Sequence, residues 1–361
     1  MRQQLSEGDV MLLRRLGRFV SVLMSAFFSL PASAAFVDTF DTPAAMSRLA
    51  HSTRLTAVTQ AGARLVTVGP RGHILLSDDK GKTWRQVPVP LSSDLVAVQF
   101  PSPKMGWAVG HDGVVLHSAD GGLSWVKQLD GKQAAAMIEA YYLARAADPD
   151  ASKALDEARR LAKEGADKPF LDVLFLNEQE GYIVGAFNLA MRTRDSGKSW
   201  EPLIDRTANE QALHLYGLAA TGGELYLVGE QGLLRRWDRQ RDRFIGLAPP
   251  YLGSFFGLLA RDSTLIAFGM RGNVLRSEDG GQSWLALQSN ASDGITGATR
   301  LEDGRVVLVT QGGQILVSKN GGESFSSVRV KQRMPYFGVA PAGKDAVVVV
   351  GAGGVSVETI E

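Results

Sequence analysis

None of the 361 residues is cysteine, which excludes disulfides, thiolate metal sites, cysteine nucleophiles and the acylated thiol of a bacterial lipoprotein. Stability must therefore come from packing. Histidine is scarce, and the five present (His51, His73, His111, His117 and His214) show no paired ligand spacing, so neither a metal nor a cofactor is expected. Neither sign of charge is in excess, with 39 basic against 38 acidic side chains, which argues against nucleic acid or an anionic membrane as partner. No glycine-rich phosphate loop precedes a helix and no Gly-x-Ser-x-Gly elbow is present, so nucleotide binding and serine hydrolysis lack support.

Long apolar runs are also missing, apart from one near the start. Arg14, Arg15 and Arg18, the apolar stretch from Phe19 to Leu30, and the small residues Ala32, Ser33 and Ala34 read together as a secretory signal peptide over residues 1–34. The apolar stretch is short for a membrane-spanning helix. Met11 is an alternative start. Removing residues 1–34 takes away four arginines, one glutamate and one aspartate, which moves the formal charge from +1 to −1. The expectation is an exported chain, periplasmic or otherwise secreted, without a membrane span after cleavage.

What the sequence has in abundance is glycine, 40 residues, and much of it is periodic. An apolar residue followed by a turn residue recurs at Val68-Gly69, Val109-Gly110, Val184-Gly185, Val228-Gly229, Phe268-Gly269, Val309-Thr310 and Val350-Gly351. The second residues are 41, 75, 44, 40, 41 and 41 positions apart. A period near 41 fits a four-stranded propeller blade, and seven units predict an all-β, seven-bladed β-propeller over residues 35–361. In the second unit, alternation and turn residues place the strands at Asp94–Phe100, Gly106–Val109, Val114–Ser118 and Ser124–Lys127.

Between the third and fourth strands lies the pattern S/T-x-D-x-G-x-S/T-W, intact at Ser77–Trp84, Ser118–Trp125, Thr193–Trp200 and Ser277–Trp284. A fifth copy, Ser318–Phe325, carries Asn320 and Phe325. Asp79, Asp120, Asp195, Asp279 and Asn320 can accept backbone N–H groups of their own turn, the following glycine permits positive φ, and Trp84, Trp125, Trp200, Trp284 and Phe325 can bury a ring between blades. These residues are read as structural. The fourth unit has no box, and its turn is expected to be longer and irregular. The seventh ends after its third strand, so residues 36–40 are predicted to supply the missing strand and close the ring.

The 75-residue interval reads as a helical hairpin inserted at residues 131–168. Lys132–Ala146 places Met137, Ile138, Tyr141 and Tyr142 on one stripe, Asp148-Pro149-Asp150 supplies cap chemistry, and Ala151–Lys163 runs to Gly165.

The boxes, paired with V-G-x-x-G turns as in Val109–Trp125 and Phe268–Trp284, resemble the photosystem II stability and assembly-factor propellers and their non-photosynthetic bacterial relatives, over almost the whole chain after residue 34. The resemblance implies a non-enzymatic scaffold that binds a partner protein and serves the assembly or operation of an envelope complex. The alternative is a carbohydrate-binding or sialidase-like glycoside hydrolase propeller, since Asp boxes occur there too; the Arg-Ile-Pro segment usual in such enzymes is missing. The chain is expected to act as a monomer.

In a propeller the turns joining second to third strands and the connections between blades share one face. Candidate partner-binding residues there are Arg71, Asp112, Gln231, Arg271 and Asn273 on the turns and Asp94, Asp172, His214, Tyr216, Tyr251 and Tyr336 on the connections. Arg71 and Arg271 occupy equivalent positions, and the resemblance implies an arginine-bearing face at these two. The hairpin is expected to overhang that face, and to be dispensable for folding.

Overall fold

The computed structural model describes residues 37–165, 167–331 and 333–360. The signal-peptide reading of residues 1–34 lies outside them. Seven antiparallel sheets follow in chain order, six of four strands and one of three, each a meander whose strands A to D run from first to last in sequence. The A strands pack side by side in sequence, and the last (Tyr336–Gly343) packs against the first (Ala57–Ala61), so the ring is closed. Among the described residues no helix is long and apolar enough to cross a membrane.

Apolar side chains fill the gaps between blades, because a strand buried on both faces carries apolar residues without interruption. The B strand of the last blade, Ala346–Gly351, holds four consecutive valines, all fully buried. Side chains in or beside the A strands stitch neighbouring blades: Thr56 Oγ1 donates to Leu95 O (2.7 Å), Gln99 Nε2 to Phe175 O (3.3 Å), Thr296 Oγ1 to Tyr336 O (2.7 Å) and Gln60 Nε2 to Pro341 O (3.1 Å).

Closure does not use the predicted strand. Residues 37–40 pair with no sheet, Phe36 lies outside the described residues, and the last blade keeps three strands (Tyr336–Gly343, Ala346–Gly351, Gly354–Thr359). Phe40 is instead buried with Ala44, Val87, Val89 and Leu91 on the outer side of the first blade. Hydrogen bonds from Ala44 N to Val89 O (3.0 Å) and from Gln86 Nε2 to Ala45 O (3.0 Å) tie the segment there. The seam is sealed by packing: Ala50 and Leu55 meet Leu75 and Val350, while Leu65 meets Ala340, Ala342 and Val348. An apolar interface between closed meanders replaces a shared sheet.

The Asp boxes fold as their chemistry dictates. In the first, Asp79 accepts from Ser77 Oγ, Thr83 N and Thr83 Oγ1 at 2.6–2.9 Å, Gly81 has φ +85°, and Trp84 Nε1 donates to Gly81 O. Asp120, Asp195 and Asp279 accept the same bonds, and Trp125 and Trp284, but not Trp200, repeat the ring bond among the described residues. With an amide at the fifth box, Asn320 Nδ2 donates to Ser324 Oγ instead, reversing that bond. Trp125 and Trp200 are buried, whereas Trp84 and Trp284 are half-buried. Each tryptophan belongs to the turn, and in the second blade strand D begins one residue later, at Val126. The box-free blade departs from expectation: Leu234–Asp238 and Arg243–Gly246 pair up to a compact turn, with Asp238 accepting from Gln240 N and Arg241 N. Without a box to accommodate, the ladder runs to the turn itself.

The hairpin consists of α1 (Gly131–Ala144) and α2 (Pro149–Glu164). Asp130 and Gln133 form a reciprocal capping box, starting α1 one residue before the predicted Lys132; Asp148 caps α2, and Gly165 ends it at φ +89°. Ile138, Tyr142, Leu155, Ala158 and Leu161 enter one core with Leu189, Met191, Trp200 and Ile204 of the third blade.

Candidate functional site

The face carrying the B–C turns is built by a repeated backbone device. Five turns place one non-glycine residue at φ between +51° and +58°: Arg71, Asp112, Phe187, Gln231 and Arg271. Such a conformation is uncommon outside glycine. Neighbouring side chains hold two of these turns: Asp94 Oδ1 accepts from Arg71 N (2.8 Å), and His214 Nδ1 accepts from Phe187 N (2.9 Å). Arg71 and Arg271 are exposed, and neither guanidinium makes a hydrogen bond or ion pair among the described residues.

A second device lies at the turn-face end of the inner strands. In six blades the A–B register slips by one residue, leaving a bulged position at Val96, Leu171, Tyr216, Phe256, Thr296 and Phe337. A bulge re-aims side chains. It explains why Tyr336, predicted on the surface, is fully buried while Phe337 is half-exposed under the Arg54 guanidinium, 5.1 Å from its centroid. Phe255 is likewise buried and Phe256 half-exposed.

Aromatic rings form a continuous arc. Phe187 meets His214 edge-on at 4.5 Å, His214 meets Tyr216 at 6.1 Å, and Tyr216 meets Phe256 at 5.7 Å. Burial, then the Glu230 carboxylate 3.4 Å from the hydroxyl, pushes the Tyr216 phenol upward. Cations flank Phe187: Lys168 Nζ stands 5.3 Å and the Arg160 guanidinium 5.8 Å from its centroid. Phe187 was legible from Gly185-Ala186-Phe187-Asn188, which aligns with Gly69-Pro70-Arg71-Gly72. Phe256 and Phe337 were not, since strict alternation counts them on the wrong side.

The other predicted face residues divide between surface and scaffold. Gln231 is exposed, and Tyr251 is half-buried with its hydroxyl on Met270 O (3.1 Å). Asn273 donates to the same carbonyl (2.9 Å), which makes it a turn brace. Asp112 is taken up internally, accepting from Thr39 Oγ1 and Ser93 Oγ at 2.6 Å each. Asp172 sits within an inner strand rather than on a connection. Its oxygens accept from Val173 N (2.9 Å) and from Leu218 N of the next blade (2.7 Å). Enclosure by the ring desolvates it and pushes its pKa up to about 7, although part of the residue still touches solvent.

The hairpin lies on the predicted side but at the rim. Tyr141 and Arg145 join Glu201, Asp205, Arg206, Arg192 and Asp242 in a network linking it to the third and fourth blades. Arg160 and Lys168 reach Phe187 on the face, and Asp150, Lys153 and Glu157 line a concavity with Asn188 and the connection at 208–212. The apolar stripe packs on the third blade, which holds the hairpin at the edge of the face it was expected to overhang.

A family model described as Photosynthesis system II assembly factor YCF48 matches residues 76–140 and 153–358, its gap falling within the hairpin. The chain is 27% identical over 192 residues to Photosystem II assembly lipoprotein Ycf48 of Synechococcus sp. (strain CC9902), a match covering 50% of this chain and 56% of that protein. It is 23% identical over 329 residues to Photosystem II assembly protein Ycf48 of Synechococcus sp. (strain JA-3-3Ab), covering 81% and 94%. The chain thus spans about half the length of several relatives it matches and nearly all of another. Among solved structures, YCF48 bound to D1 peptide superposes with a TM-score of 0.63 at 18% identity, covering 86% of this chain and 94% of that one. The WD40 propeller domain of Doa1 gives 0.63 at 11%, covering 89% and 96%, so these superpositions speak to fold alone. The family model, covering most of the chain including all five boxes, shows that the chain belongs to the photosystem II assembly factor YCF48 family.

Proposed function

We propose that this chain is a non-enzymatic, exported scaffold that holds a segment of a partner protein on its B–C turn face, serving assembly or operation of an envelope or membrane complex. The observation that carries the reading is the two exposed guanidiniums, Arg71 and Arg271, carried by left-handed turn positions without partners among the described residues, on the face that also bears the aromatic arc. Arginine and aromatic anchors dominate binding energy at protein interfaces. The relative solved with a D1 peptide supports a peptide-binding role for the fold, and relatives named lipoproteins support export. Residues 1–34 would act as the leader, and the mature chain would work as a monomer.

The test is affinity capture from an envelope fraction with quantitative comparison of the wild type and Arg71→Glu/Arg271→Glu. A specific partner should be depleted at least tenfold in the double variant, with the difference shrinking as salt screens the contact. Equal recovery of every partner by both proteins would refute the reading.

A further inference from the structure

On the opposite face, at the A–B turns, three arginines converge between the fifth and sixth blades. Arg261 ends one inner strand (Phe255–Arg261) and Arg300 ends the next (Ile295–Arg300). Arg276 pairs with Ile266, whose side chain lies in the core shared by these two blades, as does that of Ala298, two residues before Arg300. Alternation therefore aims Arg276 and Arg300 into the same crevice.

The crevice leaves these cations under-satisfied. Among the described residues, Arg300 Nη2 and Arg276 Nε are buried without a hydrogen-bond partner, while Arg300 Nη1 reaches only Gly304 O at 3.4 Å. Burial first, then the neighbouring Arg261 and Arg276 charges, push the Arg300 pKa below its usual value. The nearby carboxylates do not neutralise it: Glu278 pairs with Arg276 at 2.6 Å, and the exposed Asp262 stands 3.9 Å from Arg261. A buried charged donor left unpaired is costly, so a site that keeps one is either tolerating strain or built for an acceptor.

Beside the crevice, the A–B turns of the fifth, sixth, seventh and first blades enclose a concavity of about 910 Å³. Arg261, Arg300, Lys80 and Lys344 line it, against Glu302 and Asp303, and Asp303 is already held by Arg305 at 2.7 Å. The Nζ atoms of Lys80 and Lys344 make no hydrogen bond or ion pair among the described residues. We infer that this concavity is an oxyanion site that takes a phosphate group, with the half-buried Arg300 as its central ligand and Arg261, Lys80 and Lys344 around it. Phosphate fits better than a carboxylate because its oxygens are tetrahedral rather than coplanar and can engage donors from several directions at once. The group can come from a soluble phosphate or from an anionic lipid headgroup.

The test titrates the purified chain with inorganic phosphate at constant ionic strength by calorimetry. In parallel it measures co-sedimentation with phosphatidylglycerol vesicles, with phosphatidylcholine vesicles as control. Saturable binding in either arm, weakened at least tenfold by Arg300→Met and by Lys344→Gln, supports the site; the arm that responds identifies the source. Lys344 is exposed, so its variant remains informative if Arg300→Met fails to fold. Arg71→Glu/Arg271→Glu should leave this binding unchanged, which separates the site from the turn face. No binding in either arm, or binding that survives both substitutions, overturns the inference.

Discussion

Replacing Trp125 with alanine probes the blade architecture at the point where box, turn and core coincide. The ring is 5% exposed, meets Phe100 edge-on at 5.9 Å, and donates from Nε1 to Gly122 O at 3.0 Å. It closes the core between the first and second blades with Val66, Leu76, Leu116 and Ala108. Removing a large buried ring costs about 3–5 kcal/mol when the surroundings relax only partly, and the lost hydrogen bond is part of that cost. Relaxation is limited here because Gly122, at φ +85°, stands within 3.5 Å of Leu76, Phe100 and Val66 through any added Cβ. Each kcal/mol shifts the midpoint by about 2 °C or somewhat less in a chain this large, so a decrease of roughly 5–10 °C is expected. Differential scanning calorimetry, checked by urea unfolding, measures it. A variant melting within 1 °C of the wild type, taking about 1 °C as the resolving power against that scale, would refute the assignment of the ring to the interblade core.

Four further outcomes are expected. Trp200 Nε1 is buried without a partner, so Trp200→Phe should lose less stability than Trp125→Phe, which breaks a hydrogen bond; equal losses in urea melts would count against this. Asp172 has a folded pKa of about 7, above its unfolded value, so its contribution is fully present below the unfolded pKa and is lost as pH rises through about 7. Asp172→Asn should therefore flatten the decline in stability between about pH 4 and 7 by a few kcal/mol at most, and an unchanged pH profile would refute it. Asp79 runs the other way, since bonds from Thr83 hold its carboxyl down at about 2; the stabilisation it supplies is present above its unfolded pKa and is lost only as pH falls toward 2, so Asp79→Asn should flatten that acid limb, and an unchanged acid profile would count against this. Replacing residues 132–167 by a Gly/Ser linker, expected from sequence to leave a folded propeller, should instead expose Leu189, Met191 and Ile204, lower the melting point and bind a hydrophobic dye; a monomer with wild-type melting would restore the sequence-based view.

The legible part of this protein is what repeats locally. Each box carries its own partners within eight residues, so Asp79, Asp120, Asp195 and Asp279 announce their turns without reference to the rest of the chain. The hairpin was equally visible, because Asp148-Pro149-Asp150 supplies a cap and the apolar stripe has helical spacing, although the Asp130 cap was not read. Arg71 and Arg271 could be placed on one face from turn chemistry alone.

Residues whose role depends on distant partners were the ones misplaced. Tyr336 and Phe337 exchange surface and core because a one-residue bulge inverts the alternation that sequence reading relies on. Asp112 is withdrawn from the face by Thr39, 73 positions earlier, and Phe40 packs on the first blade rather than completing the last. Number of blades, turn chemistry and helix caps follow from local hydrogen bonding and periodicity, and the sequence by itself determined them. Only the tertiary structure decided how the ring closes, where the hairpin lies and which side chains face solvent, because those outcomes rest on packing between segments whose separation along the chain leaves no local signal.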